Sequence, residues 1–201
     1  MKTLCLATRN PGKVTELQAL LAPEWSVTDL SQLPHAPIVE EKASTIFENA
    51  VLKAVQVSAI VPGLILADDS GLEVAALDGA PGVYSARYAG VAANAIANNQ
   101  KLLIELQSRG VIEPSNRKAQ FRCVLALAKN GKFLESFEGI CPGTIALEPF
   151  GAQGFGYDPL FIPEGHSQTF AQMPSTLKNQ ISHRALALEK FLRWSQQHTM
   201  A

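Results

Sequence analysis

TLCLATRNPGKVTELQALL, running from Thr3 to Leu21, is the stretch on which the fold class turns. Thr3 to Ala7 is a short apolar run of strand character, and Asn10, Pro11 and Gly12 are turn residues. Val14, Leu17, Leu20 and Leu21 then recur at helical spacing. The order is strand, loop, helix. Further along, Thr45 and Glu48 form a T-x-x-E capping box ahead of Phe47, Ala50, Val51, Ala54 and Val55, an apolar helical face that should end before Pro62 and Gly63. Leu64 to Ala67 reads as a buried strand. Asp68-Asp69-Ser70-Gly71 reads as a tight turn separating it from a second apolar segment, Leu72 to Leu77.

The second half keeps the alternation. Pro81 to Asn99 is rich in Gly, Ala, Asn and Tyr and reads as a loop, followed by a helix through Leu102, Leu103 and Leu106. Gln120 to Ala128 and Phe133 to Ile140 flank Asn130-Gly131, a hairpin signal that makes the sheet mixed. The glycine-rich Gly151 to Pro159 leads into a short strand, Leu160 to Ile162. Ile181, Leu186, Leu188, Leu192 and Trp194 mark a closing helix with Ser182 as its N-cap. With no repeat, low-complexity tract or long linker, the expectation is one α/β unit over residues 1–201.

Composition narrows the class. The 17 basic and 18 acidic residues nearly cancel, so there is no basic excess for a nucleic-acid backbone, and a polymer substrate is disfavoured. The apolar fraction of 47% against 17% charged residues is that of a soluble globular protein. The opening apolar run is too short for a secretory segment, and no later run has the length of a membrane span. Cys5, Cys123 and Cys141 are odd in number, widely spaced and without a C-x-x-C pair. Reduced thiols in the cytoplasm are expected, with neither a disulfide framework nor a zinc site.

Four segments carry candidate chemistry. The loop Thr8-Arg9-Asn10-Pro11-Gly12-Lys13 joins a strand to a helix start, where backbone N–H groups, a hydroxyl and an ammonium can face one anion; it lacks the spacing of a P-loop, and a capped helix start with a solvated lysine is the plainer alternative. Glu40-Glu41 and Asp68-Asp69 each adjoin an apolar segment, where a charge needs a partner or a cation such as Mg²⁺, unless they are solvated termini. Gly154-Phe155-Gly156-Tyr157-Asp158-Pro159 sets two aromatics between glycines, suited to stacking a flat base or to filling a core gap. Ser182-His183-Arg184 offers donors with no acidic partner nearby in sequence, a pattern that is often simply surface.

In order along the chain, A-T-R-N-P-G-K (Ala7 to Lys13), E-E then F-E-N-A (Glu40 to Ala50), A-D-D-S-G-L (Ala67 to Leu72), S-A-R-Y-A-G (Ser85 to Gly90), G-F-G-Y-D-P (Gly154 to Pro159) and S-H-R (Ser182 to Arg184) resemble the inosine/xanthosine triphosphate pyrophosphatases, the Ham1-like family. Arg9 stands where many members have glycine, while Thr8, Asn10 and Lys13 are kept. The resemblance implies an elongated α/β fold of two lobes, with a long mixed sheet flanked by helices, a nucleotide cleft between the lobes, and a homodimer. It implies Mg²⁺-dependent hydrolysis of non-canonical purine nucleoside triphosphates to monophosphate and pyrophosphate. By motif position Asp69 is the expected general base and a metal ligand, with Glu40 or Glu41 opposite; the pattern does not separate the two glutamates. Thr8, Arg9, Asn10, Pro11, Gly12, Lys13 and Ser70 are expected at the phosphates, with Lys53 adding charge there. Phe155, Gly156, Tyr157, Asp158, Lys178, His183 and Arg184 are expected around base and sugar.

The implied selectivity has a hydrogen-bond logic. Hypoxanthine and xanthine present an acceptor at O6 and a donor at N1, the reverse of adenine, so donors at His183 and Arg184 favour 6-oxo bases. Two rival readings share parts of the pattern. A regulatory nucleotide-binding module would not need the four acids Glu40, Glu41, Asp68 and Asp69, and a Maf-type pyrophosphatase, which prefers modified pyrimidines or guanine derivatives, is disfavoured by the S-H-R and F-G-Y-D segments.

Overall fold

The computed structural model describes residues 2–33, 35–90 and 94–198. Strands β1 (Lys2–Leu6), β2 (Trp25–Asp29), β3 (Leu64–Val74), β4 (Lys118–Lys129), β5 (Lys132–Ile145) and β6 (Phe161–Pro163) form one sheet in the order β2-β1-β3-β4-β5-β6. β1 pairs in parallel with β2 and β3, and β5 pairs antiparallel with β6, so the sheet is mixed as expected. The helices are α1 (Pro11–Leu21), α2 (Ile46–Ser58), α3 (Ala95–Ser108), α4 (Ser175–Ile181) and α5 (His183–Gln197). None is long and apolar enough to cross a membrane.

Local chemistry accounts for most of the boundaries. Asn10 caps α1 by accepting from Gly12 N and Lys13 N, and Pro11, which has no N–H to satisfy, takes the first helical position. Thr45 caps α2 by accepting from Glu48 N while its hydroxyl donates to the Glu48 carboxylate, so the capping box is present. Asn130 and Gly131 both have positive φ, 53° and 73°, the backbone of a two-residue hairpin turn joining β4 to β5.

Two expectations need correction. Asp68 to Gly71 is not a turn: β3 runs unbroken from Leu64 to Val74. The charges there are tolerated because partners meet them inside the protein, and a strand whose polar groups are satisfied has no reason to turn towards water. The closing helix α5 starts at His183, directly after an extended Ser182 (φ −70°, ψ 154°), where the N-cap was expected, but Ile181 belongs to a separate helix, α4, which ends as Ser182 N bonds to Lys178 O. Strand β2 was not expected, although Trp25-Ser26-Val27-Thr28 alternates apolar and polar residues. Of the Pro81 to Asn99 segment, residues 91–93 lie outside the described residues; 82–87 form a short helical turn, and Asn94 caps α3 by accepting from Ala97 N.

The chain divides into two compact units, each with its own core. The first comprises Met1–Asp69, Cys123–Gly139 and Arg184–Ala201, with Leu4, Leu17, Leu66, Leu125, Leu188 and Phe191 buried together. The second comprises Ser70–Arg122 and Ile140–His183, with Leu72, Leu106, Phe121, Phe161, Phe170 and Met173 at its centre.

Candidate active site

The first unit gathers the acids and three of the candidate cations, Lys13, Lys53 and Arg184, around the middle of β3. In a strand successive side chains point to opposite faces, so Asp68 and Asp69, adjacent in sequence, meet different partners. Asp68 is fully buried: its Oδ1 is ion-paired with Lys13 Nζ, and its Oδ2 accepts from Arg184 Nε at 2.6 Å and from Cys123 Sγ at 3.5 Å. Burial opposes its charge, but Arg184 and Lys13 outweigh that and hold the carboxyl well below the usual range. Arg184 Nη1 also donates to Glu16 Oε2 at 2.5 Å.

Asp69 lies on the other side of this arrangement, 3.6 Å from Lys53 Nζ through its Oδ1. Burial, with help from the neighbouring charges of Glu41 and Asp68, pushes its carboxyl up to about 6 despite Lys53 and Lys13. Lys53, on α2, also donates to Glu41 Oε1 at 2.5 Å and to the Asp68 carbonyl at 3.0 Å. For this lysine the balance goes the other way: desolvation disfavours the ammonium, yet Asp69 and Glu41 raise its pKa on balance. Glu41 is brought here by its flanks. Arg9 Nη2 donates to Ala36 O at 2.9 Å, and Asn49 on α2 accepts from Ala43 N at 2.9 Å, so the segment 36–43 is tied at both ends.

This distinguishes the two glutamates. Glu40 is exposed and ion-paired with Lys42, whereas Glu41 shares a cation with Asp69. Among the described residues of this set, three cations (Lys13, Lys53, Arg184) face four carboxylates (Glu16, Glu41, Asp68, Asp69). Two hard carboxylate donors and a backbone carbonyl within reach of one cation fit a magnesium ion, which takes one or two carboxylates and completes its shell with water and phosphate oxygens. The 8–13 loop is less open than its sequence suggests. Gly12 N and Lys13 N are used by Asn10 Oδ1, Asn10 N donates to Thr8 Oγ1 at 3.1 Å, and the Arg9 guanidinium goes to backbone carbonyls.

The second unit gathers the aromatic segment. Ser70 opens this unit's share of β3. Asp158 Oδ2 accepts from Phe155 N at 2.8 Å and from the buried Lys178 Nζ at 2.5 Å, closing the loop on itself. Gly154, with φ +74°, is required there, because a Cβ would stand 2.0 Å from Asp158 Oδ2. Lys178 Nζ also lies 5.1 Å from the centroid of the half-buried Phe155 ring. Tyr157 belongs to the core: it is buried, and its hydroxyl donates to Ser85 O at 2.9 Å. Of the two aromatics, Phe155 is therefore the one suited to meeting a flat ligand. Gly156 O accepts from Asn99 Nδ2 at 3.2 Å. His183 is buried and stacks on Phe121, with centroids 4.6 Å apart and planes 13° apart.

Neither His183 nor Arg184 is surface, and the acidic partners of Arg184 come from 116 and 168 positions away. Glu16, Ser85, Asn99 and Cys123 were missed as site neighbours. For Glu16 a signal existed: it follows Lys13 by one helical turn and shares its face. Ser85 opens the S-A-R-Y-A-G segment but was given no role there, while Asn99 and Cys123 had no signal, because only the fold brings them near.

A family model described as the Ham1 family matches residues 4–194. The chain belongs to the Ham1 family. This Ham1-family chain is 47% identical to the dITP/XTP pyrophosphatase of Bacillus licheniformis over 191 residues, 94% of this chain and 96% of that one. It is 46% identical to the dITP/XTP pyrophosphatase of Bacillus subtilis over 191 residues, 94% of this chain and 95% of the other. Among solved structures, a HAM1 protein from Coxiella burnetii superposes with a TM-score of 0.87 at 40% identity, covering 98% of this chain and all of that one. The Staphylococcus aureus Ham1 protein gives 0.84 at 37% identity over 98% of this chain. The α/β fold with a mixed six-stranded sheet flanked by helices is thus that of the family.

Proposed function

We propose that this chain is a nucleoside-triphosphate pyrophosphatase that hydrolyses inosine, deoxyinosine and xanthosine triphosphates to the monophosphate and pyrophosphate. Relatives named dITP/XTP pyrophosphatases, 46–47% identical over nearly the whole chain, support the reaction class. The observation that carries the chemistry is that Glu41 and Asp69 converge on one cation, Lys53. When bound by Glu41 and Asp69, a magnesium ion supplies charge neutralisation and lowers the pKa of water.

Asp69 accepts the proton of the water that attacks the α-phosphorus; the new P–O bond forms as the α–β bridging oxygen leaves with pyrophosphate. Lys13 and Lys53 offset the charge that spreads over the phosphate oxygens, assisted by the Thr8 to Lys13 loop and Ser70. Phe155 stacks the purine, and Lys178 and His183 supply the polar contacts at its edge, with Gly156, Tyr157 and Asp158 fixing the loop's shape. Arg184 acts through Asp68, holding that carboxylate so that Lys13 is positioned. One domain of two lobes, a homodimer and a cytoplasmic setting belong to the same reading, supported by the family match over residues 4–194 and by three buried, unbridged cysteines.

The test is a substrate panel of inosine, xanthosine, adenosine, guanosine and uridine triphosphates with pyrophosphate detection, with and without Mg²⁺. Inosine and xanthosine triphosphates should be turned over with Mg²⁺ and the others poorly. Asp69→Asn should lower kcat by roughly 10³-fold or more while nucleotide binding persists. Near-normal turnover in that variant would remove Asp69 as the base.

A further inference from the structure

Lys53 has more oxygen around it than one ion pair needs. Its Nζ lies 2.5 Å from Glu41 Oε1, 3.0 Å from the Asp68 carbonyl and 3.6 Å from Asp69 Oδ1, and its side chain is only 11% exposed. Three oxygens from three residues converging on one buried positive charge is the surrounding that a hard metal ion also seeks. An ammonium and a divalent ion repel strongly at these separations, the more so with little water between them, so the two compete for the same carboxylates. Lys13, by contrast, is ion-paired with Asp68.

We propose that Lys53 is a positioning residue that holds Glu41 and Asp69 in the metal's stead while no nucleotide is bound, so that metal and triphosphate bind as a coupled pair. Phosphate oxygens draw the ammonium off the two carboxylates, and the carboxylates then take the cation. This rests on the reading that Glu41 and Asp69 hold magnesium. It has a consequence separate from turnover: the nucleotide-free protein binds divalent metal weakly, and it does so because of Lys53. A neutral side chain of similar length should therefore increase metal affinity at the expense of nucleotide affinity, the reverse of what loss of a merely structural lysine would do.

The experiment measures Mn²⁺ binding to nucleotide-free protein by the electron-spin-resonance signal of free Mn²⁺. Lys53→Met should bind at least about tenfold more tightly than wild type, and Lys53→Arg, which keeps the charge, should stay within about threefold of it. Equal affinities for wild type and Lys53→Met, with turnover still abolished by chelator, overturn the inference alone. Undiminished turnover in excess chelator overturns the magnesium reading and this inference with it. A second measurement needs no variant. In wild type labelled with ¹⁵N-lysine, Mg²⁺ alone at the concentration that saturates turnover should leave the Lys53 side-chain resonance in place. Mg²⁺ with a non-hydrolysable nucleotide analogue should move it. A shift with Mg²⁺ alone also overturns the inference.

Discussion

Two adjacent aspartates with opposite acidity show how strongly the surroundings of a residue decide its chemistry. Asp68 is paired on both oxygens and is held well below the usual carboxylate range, while Asp69, buried with weaker compensation, is raised from 3.8 to about 6. Their effects on stability have opposite signs. Between 3.8 and about 6 the folded state binds more protons at Asp69 than the unfolded state does, so this group's contribution falls as pH rises through that window. Asp68 contributes above its ordinary range and loses that contribution as pH falls through its depressed value. Asn cannot ionise, so Asp69→Asn should gain stability relative to wild type as pH rises across this window, read from urea unfolding at a series of pH values; a flat difference contradicts the assignment. Removing one member of a buried pair leaves the other uncompensated, so Arg184→Ala, which strands Asp68 and Glu16, should cost about 3–5 kcal/mol in the same assay. A loss below about 1 kcal/mol would show that the pair is not holding the site.

The elements differ in how much of their form is local. The α1 cap, the α2 capping box and the Asn130-Gly131 hairpin were legible because each signal lies within four residues of the structure it creates. β3 was not. Asp-Asp-Ser-Gly has the composition of a turn, and it becomes strand only because Lys13, Lys53 and Arg184 arrive from α1, α2 and α5 to satisfy it. The aromatic loop combines both kinds of cause: glycine supplies the conformation, and Lys178 on α4 supplies the clamp through Asp158. Gly154→Ala must push Asp158 off the Phe155 N–H and adopt a positive φ as well. It should cost about 1–3 kcal/mol in stability. It should also raise KM for inosine triphosphate, by roughly tenfold for a comparable loss of binding energy. Unchanged KM would place the loop outside base recognition.

On the scale of the whole molecule, each unit buries its own apolar cluster. Leu17 belongs to one and Leu106 to the other, and both are fully buried. Leu17→Ala and Leu106→Ala should each cost about 2–5 kcal/mol. In the double variant the two losses should add to within roughly 0.5 kcal/mol, because they share no neighbour in either cluster. Denaturant titration of the four proteins checks this, and a large departure from additivity would mean the cores are energetically joined. The sequence by itself determined the α/β alternation opening at Thr3 to Leu21, the mixed sheet, the family, and the segments where the chemistry lies, since these depend on residue type and short spacing. Only the tertiary structure decided that Glu41 rather than Glu40 faces Asp69, that Tyr157 is core while Phe155 is half-buried, and that Arg184 is held by Asp68 and Glu16. The physical reason is that a buried charge takes whichever partner the packing of distant segments brings within about 4 Å, and no local spacing encodes a neighbour 168 residues away.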